Sequence, residues 1–471
     1  MSQSRYKRLL SNTAILGAGT FLSKVLVFLL MPLYTSILSS EQYGVADILT
    51  QTANLLIPIA AVGVCDGLFR FVLDTGEGEE GRRRVFSTGI FVILAGGAIT
   101  FALVQLLRLF DVFDGYVLLI AAYVICANLH SAAANFIRAI GKTALFAAQG
   151  ILNTVLTIVF NVLFLVTFDM GTLGYVLSVV VADACVTLVL FFVARLDREL
   201  SWKSFDTATL KSLLKFSIPY IPTTMMWLIT SVSDRYIVTH YCGAAENGLY
   251  AAAYKLPTIL TLVCGVFIEA WQFSVVKDAD DDTRAGFFSD VFKNYMGIIF
   301  MGASLIIAFS RIMTSLLMDS SYYDSWRYVP ILVLATAFSA LVSFMGSVYF
   351  LEKKSVMSML TAMSGALINV ILNFVLIPQR GAVGAAVATL ISYVAVFAIR
   401  AYDTRFYVKF SLNMPRLIIN SLLVCAQAII MICEFDFCQI AQIIIMAVIL
   451  VINGKNIFKG LIRAAKRAKI R

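Results

Sequence analysis

Long uninterrupted apolar runs alternate with short polar connections from one end of the chain to the other. A bilayer core needs about 20 apolar residues per helix, and runs of that length divide the sequence into about 14 segments. They lie near 12–38, 43–73, 85–108, 116–138, 143–168, 172–195, 213–241, 246–276, 287–317, 327–350, 355–378, 382–402, 415–434 and 437–454. The runs do not alternate with period two and exceed the about 9–11 residues of a barrel strand, so the pattern predicts helices. The fold class it predicts is all-α, a polytopic membrane protein with about 14 transmembrane helices.

Charge adds orientation. Most of the 37 Lys and Arg fall on one side of this segmentation, among them Arg5, Lys7, Arg8, Arg82, Arg83, Arg84, Lys353, Lys354 and the run from Lys455 to Arg471. Arg108, Arg311, Arg327 and Arg380 fall on the other side. Positive residues stay in the cytoplasm, so both termini and the connections near 74–84 and 196–212 are expected there. The 196–212 connection carries Trp202 and mixed charge, which suits a helix lying at the interface. The tail mixes Ile457, Phe458, Leu461 and Ile462 with basic residues, as either an amphipathic surface helix or a simple positive anchor does.

The second half echoes the first. Glu41-Gln42-Tyr43-Gly44 precedes the second span, and Glu246-Asn247-Gly248 precedes the eighth. Gly171-Thr172-Leu173-Gly174 opens the sixth, and Gly381-Ala382-Val383-Gly384 opens the twelfth. Each of the latter follows a span with amides, Asn153 and Asn161 in one case, Asn369 and Asn373 in the other. Internal repeats of this kind are common in transporters. The reading is an N-terminal lobe of six spans over 1–195, a cytoplasmic linker over 196–212, a C-terminal lobe of six spans over 213–409, two extra helices over 410–454 and a basic tail over 455–471.

Composition agrees with the pattern: 60% of the 471 residues are hydrophobic and 14% charged, against about 25% charged in soluble proteins. That argues against a soluble enzyme or a disordered chain. The net charge of +9 sits in loops and termini, which argues against a nucleic-acid partner. The eight cysteines include no Cys-x-x-Cys pair, although Cys433 and Cys438 flank one short loop and could bridge. The two histidines, His130 and His240, show no metal-ligand spacing. Gly141-Lys142-Thr143 lacks the upstream glycine of a phosphate-binding loop. No enzymatic activity, metal or cofactor is expected.

Candidate chemistry therefore lies in polar residues within the spans, where an ionisable group costs at least about 2.5–3.5 kcal/mol and faces a cavity or a partner. The first span aligns Thr13, Gly17, Thr20 and Lys24, and the second aligns Asp47, Gln51, Asn54 and Pro58, with Asp66 and Arg70 four apart further on. The seventh aligns Tyr220, Thr224, Trp227, Ser231 and Asp234, with Arg235 about 100° away. The eighth aligns Lys255, Thr258, Gly265, Glu269 and Gln272, and the sixth holds Asp183. A wet cleft between the lobes, with Asp234 facing it, accounts for these stripes; structural ion pairs between packed helices are the alternative. Pro219, Pro222 and Pro257 interrupt spans seven and eight, as hinges or static kinks.

Ser23-Lys24, Glu41-Gln42-Tyr43-Gly44, Ser233-Asp234-Arg235, Glu246-Asn247-Gly248-Leu249-Tyr250, and Asn369 with Asn373 leading to Gly381-Ala382-Val383-Gly384-Ala385-Ala386 occur in this order. With these motifs the chain resembles the Wzx-like polysaccharide-biosynthesis flippases of the multidrug/oligosaccharidyl-lipid/polysaccharide exporter superfamily, over spans one to twelve. The resemblance implies two six-helix lobes, alternating access, and transfer of an undecaprenyl-pyrophosphate-linked oligosaccharide across the bacterial cytoplasmic membrane. Lys24, Arg70, Arg235 and Lys255 then offer cations to the pyrophosphate, and Gln51, Asn54, Tyr220 and Trp227 offer partners to the sugars. Asp47, Asp66, Asp183, Asp234 and Glu269 are left for coupling or gating. The implied partners are that substrate, membrane lipids, and assembly proteins such as a polysaccharide polymerase. A cation-coupled multidrug exporter prefers an acid where this chain has Lys24, and a lipid II-type flippase has Arg-Asp where this chain has Met31-Pro32; both remain alternatives within the superfamily.

Overall fold

A computed structural model describes residues 28–74, 78–107, 115–218, 221–277, 281–352, 354–435 and 437–469. All regular structure among them is helical, and contacts group the chain into two compact units, Met1–Val232 and Ser233–Arg471. The first contains α1 (Met31–Ile37), α2 (Ser40–Ala60), α3 (Val64–Asp74), α4 (Glu79–Leu107), α5 (Val117–Ala139), α6 (Thr143–Asn161), α7 (Gly171–Val193) and α8 (Thr207–Ser217). The helix α9 (Ile221–Cys242) runs across the division. The second contains α10 (Ala244–Ala253), α11 (Lys255–Lys277), α12 (Asp281–Ala308), α13 (Ser310–Leu317), α14 (Val329–Leu351), α15 (Ser355–Thr404), α16 (Met414–Cys433) and α17 (Cys438–Lys469).

Among the described residues nine helices are long and apolar enough to cross a membrane, and α2 with α3 adds a tenth as a bent pair. The apolar stretch Val356–Thr404 spans 49 residues. At about 1.5 Å per residue it is twice the length a bilayer core of about 30 Å requires. It breaks at Gly381, whose φ of 59° and ψ of −145° are not helical, and so accounts for two spans. The chain is thus an all-α, multi-pass membrane protein, and its helices follow the segments read from the sequence. Of the first segment, only residues from 28 onward are described.

Two segments differ from the sequence reading. The run 43–73 is not one continuous span: α2 and α3 meet at a bend of 47°. Val62 and Gly63 both adopt positive φ there, 50° and 67°, after Pro58 has interrupted the helical ladder. Side chains of α5 add bonds to carbonyls on either side of the break, with Asn128 Nδ2 donating to Ile57 O at 3.1 Å and Asn135 Nδ2 to Cys65 O at 3.0 Å. Gly96 of α4 passes so close to the Ala60 carbonyl that a Cβ there would lie 1.8 Å from its oxygen. The 196–212 connection is not one interfacial helix either. Two short 3-10 turns, Leu196–Arg198 and Trp202–Ser204, lead into α8. Asp206 caps α8, accepting from Thr209 Oγ1 at 2.6 Å and Thr209 N at 2.8 Å, and these bonds hold its carboxyl below the usual carboxylate range.

In the first unit α5 is the central helix, burying Ile120, Val124, Ala132, Ala133, Phe136 and Ile137 against its neighbours. In the second unit α14 has that position, and Trp271 and Tyr295 stack on Phe344 while Phe292 packs against it at a tilt. Buried amides fix the last two helices: Gln427 Nε2 donates to Ser304 O at 3.1 Å, Gln442 Nε2 to Gln427 O at 2.8 Å, and Asn453 Nδ2 to Asn420 Oδ1 at 2.8 Å. Cys433 and Cys438 are free thiols. The helix of α17 continues through the basic tail to Lys469.

Candidate functional site

The repeated motifs do the same structural work in each unit. In the first, Ser39 and Gln42 form a reciprocal cap on α2. The Gln42 side chain lies against Gly171 and the Gln42 main-chain carbonyl accepts from Thr172 Oγ1 at 3.0 Å, while Tyr43 packs with Tyr34 and Tyr175. In the second, Glu246 lies against Gly381 and accepts the Tyr328 hydroxyl at 2.6 Å, and Tyr328 packs on Tyr250. Gly171 and Gly381 both adopt positive φ, 52° and 59°, at the turn between two antiparallel helices. Gly174 and Gly384, three residues on, both face a carbonyl of the preceding helix, Phe164 O and Leu376 O.

Inside the first unit three spans converge on one polar cluster. His130 of α5 places Nδ1 2.9 Å from Asp183 Oδ1 of α7 and Nε2 2.6 Å from Gln149 Oε1 of α6. Asn153 Nδ2, one turn beyond Gln149, donates to the same Asp183 oxygen at 2.8 Å. Asp183 and Gln149 are buried and the His130 side chain is 14% exposed. Asn153 Nδ2 also lies 3.4 Å from His130 Nδ1, so the ring, the carboxylate and the two amides form one network. The sequence singled out Asp183 and passed over His130 and Gln149. The signal was the depth of Asp183 and His130, both near the middle of their spans, where an ionisable group requires a partner.

Other predicted residues of this unit lie apart from that cluster. Asp47 and Gln51 are half-buried on α2 and share a 3.4 Å bond. Asn54 is half-buried one turn further on. Asp66 and Arg70 are both exposed on α3, beyond the bend. Burial lifts the acid and base question differently in the second unit, where Asp234, expected to face a wet cleft, is fully buried. Its Oδ2 accepts the Tyr250 hydroxyl at 2.7 Å and its Oδ1 accepts the Arg235 amide at 2.9 Å. The guanidinium of Arg235 sits 4.9 Å over the Tyr254 ring. Beside them Ser233 donates to Asn369 Oδ1 at 3.0 Å, Asn373 to the same oxygen at 2.9 Å, and Asn369 to Thr389 at 3.2 Å. Lys255 is half-buried at the start of α11 and its carbonyl accepts from Thr258. Lys24 and Tyr220 fall outside the described residues, as do the side chains of Trp227 and Glu269.

An all-helical fold with many apolar spans, repeated motifs and buried polar clusters defines a multi-pass membrane protein. The family model of polysaccharide biosynthesis proteins matches residues 9–272, over half of the chain, and the chain belongs to that family. Comparison with curated protein sequences finds no match. Among solved structures the chain is similar to the lipid II flippase MurJ in an inward closed conformation, with a TM-score of 0.74 at 14% identity over 95% of this chain and 100% of the other. It is similar to an inward-facing multidrug resistance MATE family transporter of the MOP superfamily, with a TM-score of 0.68 at 13% identity over 82% of this chain and 95% of the other. A mutant of the Vibrio cholerae MATE transporter VcmN matches with a TM-score of 0.59 at 14% identity over 86% and 97%.

Proposed function

We propose that the chain is a flippase that moves an undecaprenyl-pyrophosphate-linked oligosaccharide across the bacterial cytoplasmic membrane by alternating access, with both termini in the cytoplasm. One observation carries the reading. Membership of the polysaccharide biosynthesis family coincides with a fold shared along 95% of the chain with a lipid II flippase. A pyrophosphate requires cations, and Lys24, Arg70, Arg235 and Lys255 are the proposed source. Arg70 is exposed on α3 and so is open to a ligand. Gln51, Asn54, Tyr220 and Trp227 are the proposed sugar partners, and Asp47, Asp66, Asp183, Asp234 and Glu269 the proposed coupling or gating acids. The lobes 1–195 and 213–409 are the proposed moving parts, and a polysaccharide polymerase or another assembly protein is the proposed recipient of the product.

The test is glycan export in cells that depend on this chain. Lys24→Ala is expected to abolish export with normal protein levels in the membrane, because each lost charge-assisted contact to the anion is worth about 1.5–3 kcal/mol. Lys24→Arg is expected to keep part of the activity. Full export by the Ala variant sinks the role of Lys24. Unchanged glycan export together with lost drug resistance in cells lacking the chain favours the multidrug-exporter reading instead.

A further inference from the structure

We propose that Arg416, where α12, α16 and α17 meet, is the centre of a site for the headgroup phosphate of an anionic phospholipid in the cytoplasmic leaflet. The choice of leaflet rests on the orientation proposed above; the site itself does not rest on the flippase reading. Arg416 lies in the first turn of α16 and is 8% exposed. Its Nε donates to Asn453 Oδ1 of α17 at 3.0 Å. Its Nη2 is enclosed with no acceptor among the described residues. Asn453 has nothing further to offer, since its oxygen also accepts from Asn420 Nδ2 at 3.3 Å and its Nδ2 donates to Asn420 Oδ1 and Ile449 O, each at 2.8 Å. The third wall is Gly297 of α12, where a Cβ would lie 3.3 Å from Asn453 Oδ1 and 3.5 Å from Arg416 Nη2.

The charge here is unbalanced. A buried cation ordinarily has an acid beside it. Neither α16 nor α17 contains Asp or Glu, and the nearest acid along α12, Asp290, is exposed two turns before Gly297. The charge nearest to Gly297 on α12 is a second cation, half-buried Lys293, one turn away. The chain thus brings cations together and leaves out the counter-charge, so the missing partner is an anion. The open Nη edge of a guanidinium fits two oxygens of one phosphate, and a lysine ammonium serves a third. Position selects the source of that phosphate. Arg416 opens α16, and Asn453 lies at the end of the apolar stretch Cys438–Gly454 in the next helix, so both stand where spans meet headgroups. Lys409 precedes that level and the basic run from Lys455 follows it, which makes it the cytoplasmic one. A headgroup tethered there by its acyl chains has a local concentration that a dissolved ion lacks.

The test uses the full-length protein in neutral detergent, read by thermal unfolding and by native mass spectrometry. Phosphatidylglycerol, phosphatidylcholine and inorganic phosphate are added separately. Phosphatidylglycerol should raise the melting temperature and remain bound, while phosphatidylcholine and inorganic phosphate should do neither. Arg416→Gln, which keeps a donor for Asn453, should weaken phosphatidylglycerol binding by about tenfold or more, the worth of one charge-assisted contact. Arg416→Lys should fall between the two, and Lys293→Gln should weaken binding less than Arg416→Gln. Lys409→Gln, at an exposed lysine outside the site, should leave binding unchanged. Equal responses to phosphatidylglycerol and phosphatidylcholine, or wild-type binding by Arg416→Gln, overturn the proposal. Inorganic phosphate that stabilises as well as phosphatidylglycerol overturns the lipid as the ligand. A loss on Lys409→Gln equal to that on Arg416→Gln means diffuse surface charge and overturns the site. Should Arg416→Gln fail to fold, Lys293→Gln decides by the same two readouts, and unchanged binding there overturns the proposal.

Discussion

Arg400 shows how a single buried cation is held in this fold. Its side chain is 1% exposed, and all three guanidinium nitrogens donate: Nε to Thr361 Oγ1 at 3.0 Å, Nη1 to Val342 O at 2.9 Å and Nη2 to Ser358 O at 3.3 Å. Gly346 makes room, since a Cβ there would lie 3.0 Å from Nη1. The planar fork, not the charge alone, matches these acceptors. Arg400→Lys keeps the charge, but one compact ammonium cannot reach all three acceptors and remains buried with its donors unpaired. Arg400→Met removes charge and donors together and fills most of the volume. Because an apolar isostere of a buried charge is often tolerated while an unpaired buried charge costs about 3–5 kcal/mol, the Lys variant is expected to be the less stable of the two. Thermal unfolding in detergent measures the order, and a more stable Lys variant would show that the charge itself is required. The sequence did not single out Arg400. A lone Arg near the end of an apolar run reads as an interfacial residue, and only the packing of α14 and α15 around it reveals burial. His130 was legible to the same limited degree: its depth signalled a partner, but spacing along one helix cannot name a partner on another.

At the scale of elements, the repeat was legible and its mechanical reason was not. Gly171-x-x-Gly174 and Gly381-x-x-Gly384 stood out as paired motifs, and in each the first glycine supplies a positive φ and the second a close helix approach. The approaches differ in tightness. A Cβ at Gly384 would meet Leu376 O at 2.4 Å, while one at Gly174 would meet Phe164 O at 3.1 Å. Backbone carbonyls of packed helices cannot swing aside as a side chain can. Gly384→Ala is therefore expected to cost more than Gly174→Ala, with the former at the upper end of the about 1–3 kcal/mol typical of overpacking. Comparing the two melting temperatures, with membrane abundance as a control, checks this, and equal effects would mean that the twelfth span shifts freely along its neighbour. The bend between α2 and α3 was not legible, because Ala61-Val62-Gly63-Val64 is as apolar as the helices on either side. Hydropathy reports the phase a segment lies in, and a break within that phase leaves no trace in it. Val62 at φ 50° is an unusual conformation for a β-branched residue, one that no composition rule would assign.

For the whole molecule the quantity at stake is the parity of the spans, because one miscounted helix inverts every connection after it. Two native thiols offer a test without introducing any new residue. Cys242 ends α9 and Cys433 ends α16, and both are exposed. Between them lie the spans formed by α10 with α11, by α12, by α14, by the two halves of α15, and by α16. That number is even, so both thiols should emerge on the same face of the membrane, and the positive-inside rule makes it the outer one. A membrane-impermeant maleimide added to intact cells should then label both. Buried Cys65 and Cys264 should stay unlabelled in the folded protein. A third probe, Glu80→Cys at the exposed start of α4, is separated from Cys242 by an odd number of spans and should react only after the membrane is opened. If Cys242 and Cys433 react from opposite sides, α15 crosses once and the Gly381 break is a kink instead of a turn between two spans. If Glu80→Cys reacts in intact cells together with Cys242, the error lies among α4 to α9, and the orientation of the N-terminal half falls with it.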